Sequence, residues 1–184
     1  MRRDGAANRE RVLLAAEQVF AASGAAGSTE EIARQAQVSI ATVFRHFPTK
    51  QDLIEATAVR YLEKLTDEAR RLADDTDPGR AFASLMRTLV STGAVKMTLL
   101  DLLPPHSDDG EGLSQPVTAA VDAFRGALRS ALERAQTAGA ARPDATADDV
   151  SVLLRALAHV ATPGEGGGVD RAVGIVLDGL GVPR

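Results

Sequence analysis

Between Ser28 and Lys50 the chain reads STEEIARQAQVSIATVFRHFPTK. This stretch gathers side chains that suit a nucleic acid. Thr42 and Arg45 can hydrogen-bond base edges, and Arg45 is the long side chain able to pair with a guanine or a phosphate. Ile40 and Ala41 are apolar, which fits contact with thymine methyls. Lys50 falls in the first turn of a helix, where its ammonium and the helix dipole both favour an anion.

The surrounding residues supply the elements that hold these groups. Ser28 with Glu31 three residues on is a capping box, so a helix starts at Thr29. Ile32, Ala33 and Ala36 give that helix one apolar face. Gln37, Val38 and Ser39 make a turn, and Ser39 can cap the next helix. There Val43 and Phe47, four apart, point inward, while Ile40, Ala41, Phe44 and Arg45 share the opposite face. Pro48 ends the helix, and Lys50 opens a third. Short helix, tight turn and second short helix make a helix-turn-helix, the build of a DNA reader.

The string resembles the DNA-binding domain of the TetR family of bacterial repressors. The resemblance starts at RERVLLAAEQVFAASG (Arg9 to Gly24) and runs through EEIARQAQVS and TVFRHFPTKQDL to about Leu65. Its signature is the order of parts: a first helix ending in F-x-x-x-G, then EIA, then VS, then T-x-F-x-H-F-P-x-K. It implies phosphate contacts at Ser28, Thr29, His46 and Lys50, with Ser39, Ile40, Ala41, Thr42, Phe44 and Arg45 completing the DNA-facing set. Read without the resemblance, His46 is a surface helix residue. The chain departs from the family pattern where glycine is usual and Gln37 stands. If the backbone there is left-handed, a side chain costs about 1 kcal/mol. Phe44 replaces a tyrosine whose hydroxyl typically reaches a phosphate, and Ile40-Ala41 replace a lysine-glycine pair.

Charge is divided along the chain. The net charge is -4. Residues 1–50 hold seven basic and five acidic side chains, and the remainder holds fourteen basic and twenty acidic. The helix-turn-helix is therefore the mildly basic part, and the rest should repel nucleic acid. With no cysteine there is no disulfide framework and no thiolate metal site, which fits a reducing cytoplasm, the expected location. Arg2 and Arg3 before an apolar stretch imitate a signal peptide. Glu17 and Gln18 interrupt that stretch, and Val12, Leu13, Ala16, Val19 and Phe20 form a helical stripe instead. No membrane span is expected.

An all-α fold follows, with a DNA-binding domain at 1–50 and a helical effector-binding and dimerisation domain at 51–184. A long helix from Lys50 to about Asp74 joins them. Thr76-Asp77-Pro78-Gly79 starts the next helix, which carries Phe82, Leu85, Met86 and Leu89. A short apolar segment covers 95–103, and residues 104–112 make a loop. Leu113, Val117, Val121, Phe124, Leu128 and Leu132 mark a helix ending near Gly139. Thr146 and Asp149 cap another, with Leu153, Leu154, Leu157 and Val160. Residues 163–168 read as a glycine-rich link before a last helix with Val169, Val173, Val176, Leu177 and Leu180.

The resemblance implies that the second domain binds a small effector and that the last two helices pair in a homodimer as a four-helix bundle. Candidate pocket residues are Phe82, Met86, Leu89, Met97, Leu100, Leu103, Phe124 and Leu128. Each is equally suited to a plain core position. Candidate interface residues are Leu153, Leu157, Val173, Val176, Leu177 and Leu180, which could instead complete one subunit's own core. An effector matched to this lining is mostly apolar.

No enzymatic constellation emerges. His46, His106 and His159 share no metal-ligand spacing, and Asp108, Asp109 and Glu111 read as solvated loop carboxylates. Phosphate-loop, dinucleotide and nucleophile-elbow patterns are absent. The expectation is a regulator, not an enzyme, that needs no metal or cofactor. It acts as a homodimeric repressor on palindromic double-stranded DNA and is released by a small apolar effector. Two alternatives stay open: a DNA-binding regulator without a small effector, and a helical enzyme or carrier with a vestigial helix-turn-helix.

Overall fold

A computed structural model describes residues 2–92, 102–103, 113–160 and 166–181. Eight α-helices occur among them, with no strand. They are α1 (Arg2–Ser23), α2 (Thr29–Gln35), α3 (Ile40–His46), α4 (Lys50–Leu72), α5 (Pro78–Ser91), α6 (Gln115–Thr137), α7 (Ala147–Val160) and α8 (Gly166–Gly179). The chain divides into two compact units: Met1–Tyr61 with Thr98–Ala119, and Leu62–Met97 with Ala120–Arg184. The boundary falls within α4, which supplies residues to both. Among the described residues no helix is long and apolar enough to cross a membrane.

The first unit is built on the apolar stripe of α1. Val12, Leu13, Ala16, Val19 and Phe20 are buried, and so are Ile32, Ala33 and Ala36 of α2 and Val43 of α3. Helices α1, α2 and α3 touch pairwise. From α4, Leu53, Ile54, Ala58 and Tyr61 are also buried. The buried Thr57 returns its hydroxyl to the Leu53 carbonyl at 2.6 Å, so burial leaves no orphan donor. Charge ties α4 to α1. The Arg60 guanidinium donates to Glu10 at 2.6 and 2.8 Å and to Glu17 at 2.8 Å. Glu10 and Glu17 lie two turns apart on α1, so one planar fork spans both. The bond to Glu10, above all, holds the guanidinium charged, its pKa raised further.

The second unit surrounds α5. Eight of that helix's fourteen residues are buried, more than one face can hold, which makes it the central element. It contacts α7 and α8, which also contact each other. Asp77 caps α5 by accepting from the Arg80 amide at 3.0 Å, with Pro78 in the first turn. Thr146 and Asp149 form a reciprocal capping box at α7. The carboxylate accepts from the Thr146 hydroxyl at 2.7 Å and amide at 2.9 Å, and these two bonds hold its pKa below the ordinary value. Arg134 of α6 donates to the carbonyls of Ala73 and Asp75, so it satisfies backbone at the end of α4. The last helix begins at Gly166, inside the glycine run read as a link. First-turn amides lack intrahelical partners in any helix, so the start position is weakly specified by sequence.

Gly27, between the turn after α1 and α2, has no room for a side chain. A β-carbon there would lie 3.0 Å from both Phe20 and Val19 and 3.3 Å from the Gly24 carbonyl oxygen. Phe20 is fully buried and Val19 nearly so, so neither can yield. Gly27→Ala is expected to destabilise the protein by about 1–3 kcal/mol, the usual cost of overpacking. Urea unfolding followed by circular dichroism checks it, and an unchanged midpoint contradicts the close packing.

A candidate nucleic-acid interface

Ser28 has extended backbone and accepts a hydrogen bond from the Glu31 amide at 3.1 Å, which starts α2. The other half of the capping box differs from expectation. The Glu31 carboxylate pairs with Arg34 at 2.5 and 3.1 Å. An arginine one turn along the same face competes for a carboxylate the box would turn backward. Gln35 of α2 donates to Gln18 of α1 at 2.5 Å.

The turn is a Schellman motif. The Val38 amide donates to the Ala33 carbonyl at 3.0 Å, and the Gln37 amide to that of Arg34 at 3.2 Å. This motif needs a left-handed residue after the helix, and Gln37 takes it at φ 56°. Among the described residues it is the only non-glycine with positive φ. The next residues set α3. Ser39 accepts from the Thr42 amide at 3.2 Å, and the two hydroxyls lie 2.9 Å apart.

The two faces of α3 separate cleanly. Val43 is fully buried and Phe47, at the helix end, is 3% exposed. Ile40, Ala41, Phe44 and Arg45 are exposed, and Thr42 and His46 are half-buried. The Arg9 guanidinium of α1 lies 5.2 Å from the Phe47 ring centroid, a cation–π contact that adds a polar lid to an apolar anchor. His46 Nε2 is buried without a hydrogen-bond partner. Its ring tilts against Phe47, with centroids 6.3 Å apart. A phosphate contact through this residue therefore falls to Nδ1 or to a turned ring. Ser28 is exposed, and Thr29 is half-buried.

Lys50 opens α4, as expected, but its ammonium is already engaged. It donates to the Ala25 carbonyl at 2.7 Å and so ties the turn after α1 to the start of α4. Two of its three donors remain for an anion. A second feature at this terminus escaped the sequence reading. Thr49 and Asp52 form a complete capping box, with the Asp52 carboxylate accepting from the Thr49 amide at 2.9 Å and hydroxyl at 2.8 Å. The signal was present, since Thr49-x-x-Asp52 repeats the pattern of Ser28-x-x-Glu31. That carboxylate shares the helix terminus with any incoming phosphate.

The second unit's candidates fall mostly into its core. Phe82, Met86, Leu89, Phe124 and Leu128 are all 5% exposed or less. Leu103, in the first unit's share of the chain, is also buried. Met97 and Leu100 lie outside the described residues, as do His106, Asp108, Asp109, Glu111 and the side chain of His159. A shallow crevice is present, open to solvent, with about 10 Å³ of space, and lined by Ala69, Leu72, Ala73, Pro78, Ala81, Phe82, Leu85, Ala131 and Arg134. It shares only Phe82 with the expected lining and is smaller than ligand pockets usually are. Among the described residues no group of three His, Cys, Asp or Glu side chains is placed to hold a metal.

The interface candidates also divide. Val173, Leu177 and Leu180 are 2%, 0% and 5% exposed within a single chain, so they fill the subunit's own core. Leu153, Leu157 and Val176 are half-buried. Among the described residues, the large apolar side chains these helices leave exposed are Val152, 55% exposed, and Ile175, 71% exposed. Apolar periodicity could not show which side of each helix its own chain covers.

Residues 12–57 match the model of the tetR family of bacterial regulatory proteins. Residues 77–182 match that of the SbtR-like transcriptional regulator C-terminal domain. Among solved structures, a TetR transcription regulatory protein from Mycobacterium vanbaalenii is 36% identical, with 97% of this chain and 98% of that one covered, at TM-score 0.76. A TetR transcriptional regulator from Streptomyces coelicolor is 29% identical, with 94% and 97% covered, at TM-score 0.77. AibR, solved in complex with isovaleryl coenzyme A and operator DNA, shares the fold at 17% identity, with 96% and 100% covered and TM-score 0.67. No curated protein matches the chain.

The left-handed backbone at Gln37 strains the turn. Gln37→Gly relieves the contact between the β-carbon and its own backbone, worth up to about 1 kcal/mol, less the entropy glycine adds to the unfolded chain. The urea midpoint should rise. A fall would mean that the exposed glutamine contributes more than its backbone costs.

Proposed function

The chain belongs to the TetR family of DNA-binding transcriptional regulators, and we propose that it is a homodimeric repressor that binds a palindromic operator through α3 and is released by a small, mostly apolar effector. The observation that carries the reading is the division of α3. Val43 and Phe47 are buried, while Ile40, Ala41, Phe44 and Arg45 are exposed, with no element among the described residues covering them. The local charge supports it, since residues 1–50 carry a small positive excess in an acidic protein. Arg45 is the side chain proposed to reach a base edge, and Ser28, Thr29, His46 and Lys50 to reach phosphates. Ser39 holds Thr42 at the start of the reading helix.

Pairing of subunits is assigned to α7 and α8. Val152 and Ile175 are exposed there beside the half-buried Leu153, Leu157 and Val176. Two-fold symmetry would make that patch meet itself and would carry two α3 helices to matching half-sites. The effector is assigned to the second unit. The fold neighbour AibR was solved with isovaleryl coenzyme A and operator DNA together, which supports a small-ligand site in this fold. Here the crevice beside Phe82 and Leu85 would have to widen for such a ligand. A ligand that favours the widened form shifts the DNA equilibrium only by its differential affinity, typically about 1–3 kcal/mol. Since α4 contributes to both units, it is the segment through which the shift would pass.

The reading is tested by selecting genomic fragments with the purified protein, which should enrich one short inverted repeat. No enrichment over bulk DNA would refute it. On that repeat, Lys50→Ala should reduce the slope of log affinity against log salt by about 2, one contact per subunit. An unchanged slope removes Lys50 from the interface. Ile175→Glu, at an exposed site, should convert the dimer to a monomer in sedimentation with the melting temperature of the subunit core retained. A dimer that survives places the interface elsewhere.

A further inference from the structure

The outward face of α3 is short of hydrogen-bonding groups where a DNA reader usually needs them. Ile40 is 37% exposed and Phe44 43%, with Ala41 exposed beside them. Exposed large apolar side chains are few among the described residues, and two of them sit one turn apart on this seven-residue helix. The polar residue between them is already occupied. Ser39 accepts from the Thr42 amide, and the two hydroxyls bond each other at 2.9 Å, so at most one hydroxyl proton is left to offer. Arg45 is the remaining long polar side chain on that face.

Carbon at a groove-facing position has one specific partner. In the major groove each base pair shows donors and acceptors, and only thymine adds an apolar group, its C5 methyl. Cytosine carries only hydrogen at that carbon, so Ile40 or Phe44 placed there would lose the apolar contact. We infer that this protein reads part of each half-site through thymine methyl groups packed against Ile40 and Phe44, with Arg45 supplying the hydrogen-bonded contact beside them. The inference rests on the DNA-reading role proposed for α3 and specifies its chemistry. It also makes 5-methylcytosine a partial mimic, because that base carries the same methyl at the same edge.

The test uses the full-length protein and the duplex it selects from random-sequence DNA. Each thymine is replaced in turn by uracil, which removes the methyl and leaves every hydrogen-bonding group. Affinity should drop about four-fold for each methyl that is buried, at symmetry-related thymines in the two half-sites. At one such pair of sites Ile40→Ala should abolish the difference between thymine and uracil, and at another Phe44→Ala should do so. Both residues are exposed, so neither variant threatens the fold. At those same sites 5-methylcytosine should bind better than cytosine. If the selected duplex tolerates uracil everywhere while still outcompeting random DNA, the methyl reading is overturned and the DNA-reading role stands. If no duplex is selected at all, both fall together.

Discussion

A seven-residue helix does not persist by itself in water, because nucleation costs more than so few bonds return. α3 therefore exists only because Val43 and Phe47 are buried, each worth about 1.5–3 kcal/mol against exposure. Everything else about the interface follows from that anchoring. With positions 43 and 47 inside, helical geometry leaves 40, 41, 44 and 45 outside. The Arg9 guanidinium over Phe47 and the Ser39 cap fix the two ends of the same short element. Upstream, the Schellman turn sets the direction in which α3 leaves α2, even at the cost of a left-handed glutamine.

Much of this was legible because it is local. Caps at Ser28, Ser39 and Thr146, the proline stop at Pro48 and the four-residue spacing of Val43 and Phe47 are signals that repeat within a turn or two. The strained position was readable too, from Gln37 standing where a glycine is usual. What stayed hidden was contact between residues distant in sequence. Lys50 reaches Ala25, and Arg60 reaches Glu10 and Glu17 some 43 to 50 residues away. No spacing rule relates such pairs. The same limit explains the interface candidates. The apolar pattern of α8 marks Val173 and Leu177 as candidates for a subunit interface; both are buried within the single chain, and Ile175 is exposed.

Polar groups cap helices in both units. Around α3 the polar groups cap helices and hold one turn against the next, and the outward face is left to carbon and a single arginine. In the second unit they also close the backbone. Arg134 serves the end of α4, Gln136 donates to the carbonyls of Arg142 and Ala145, and the Arg142 amide donates to Leu180 at 2.8 Å. Such a core changes shape at the cost of named hydrogen bonds, so a ligand that enters must offset them. Arg134 also lines the crevice, so in the proposed effector response its bonds to the carbonyls of Ala73 and Asp75 are the ones to change first.

The surface proposed to meet DNA is α3, held by Val43 and Phe47. Amide hydrogen exchange of the whole protein, with and without the selected duplex, tests it most directly. Slowed exchange in residues 28–50, with α7 and α8 unchanged, is the predicted result. Protection that skips 28–50 and appears only in the second unit would contradict it.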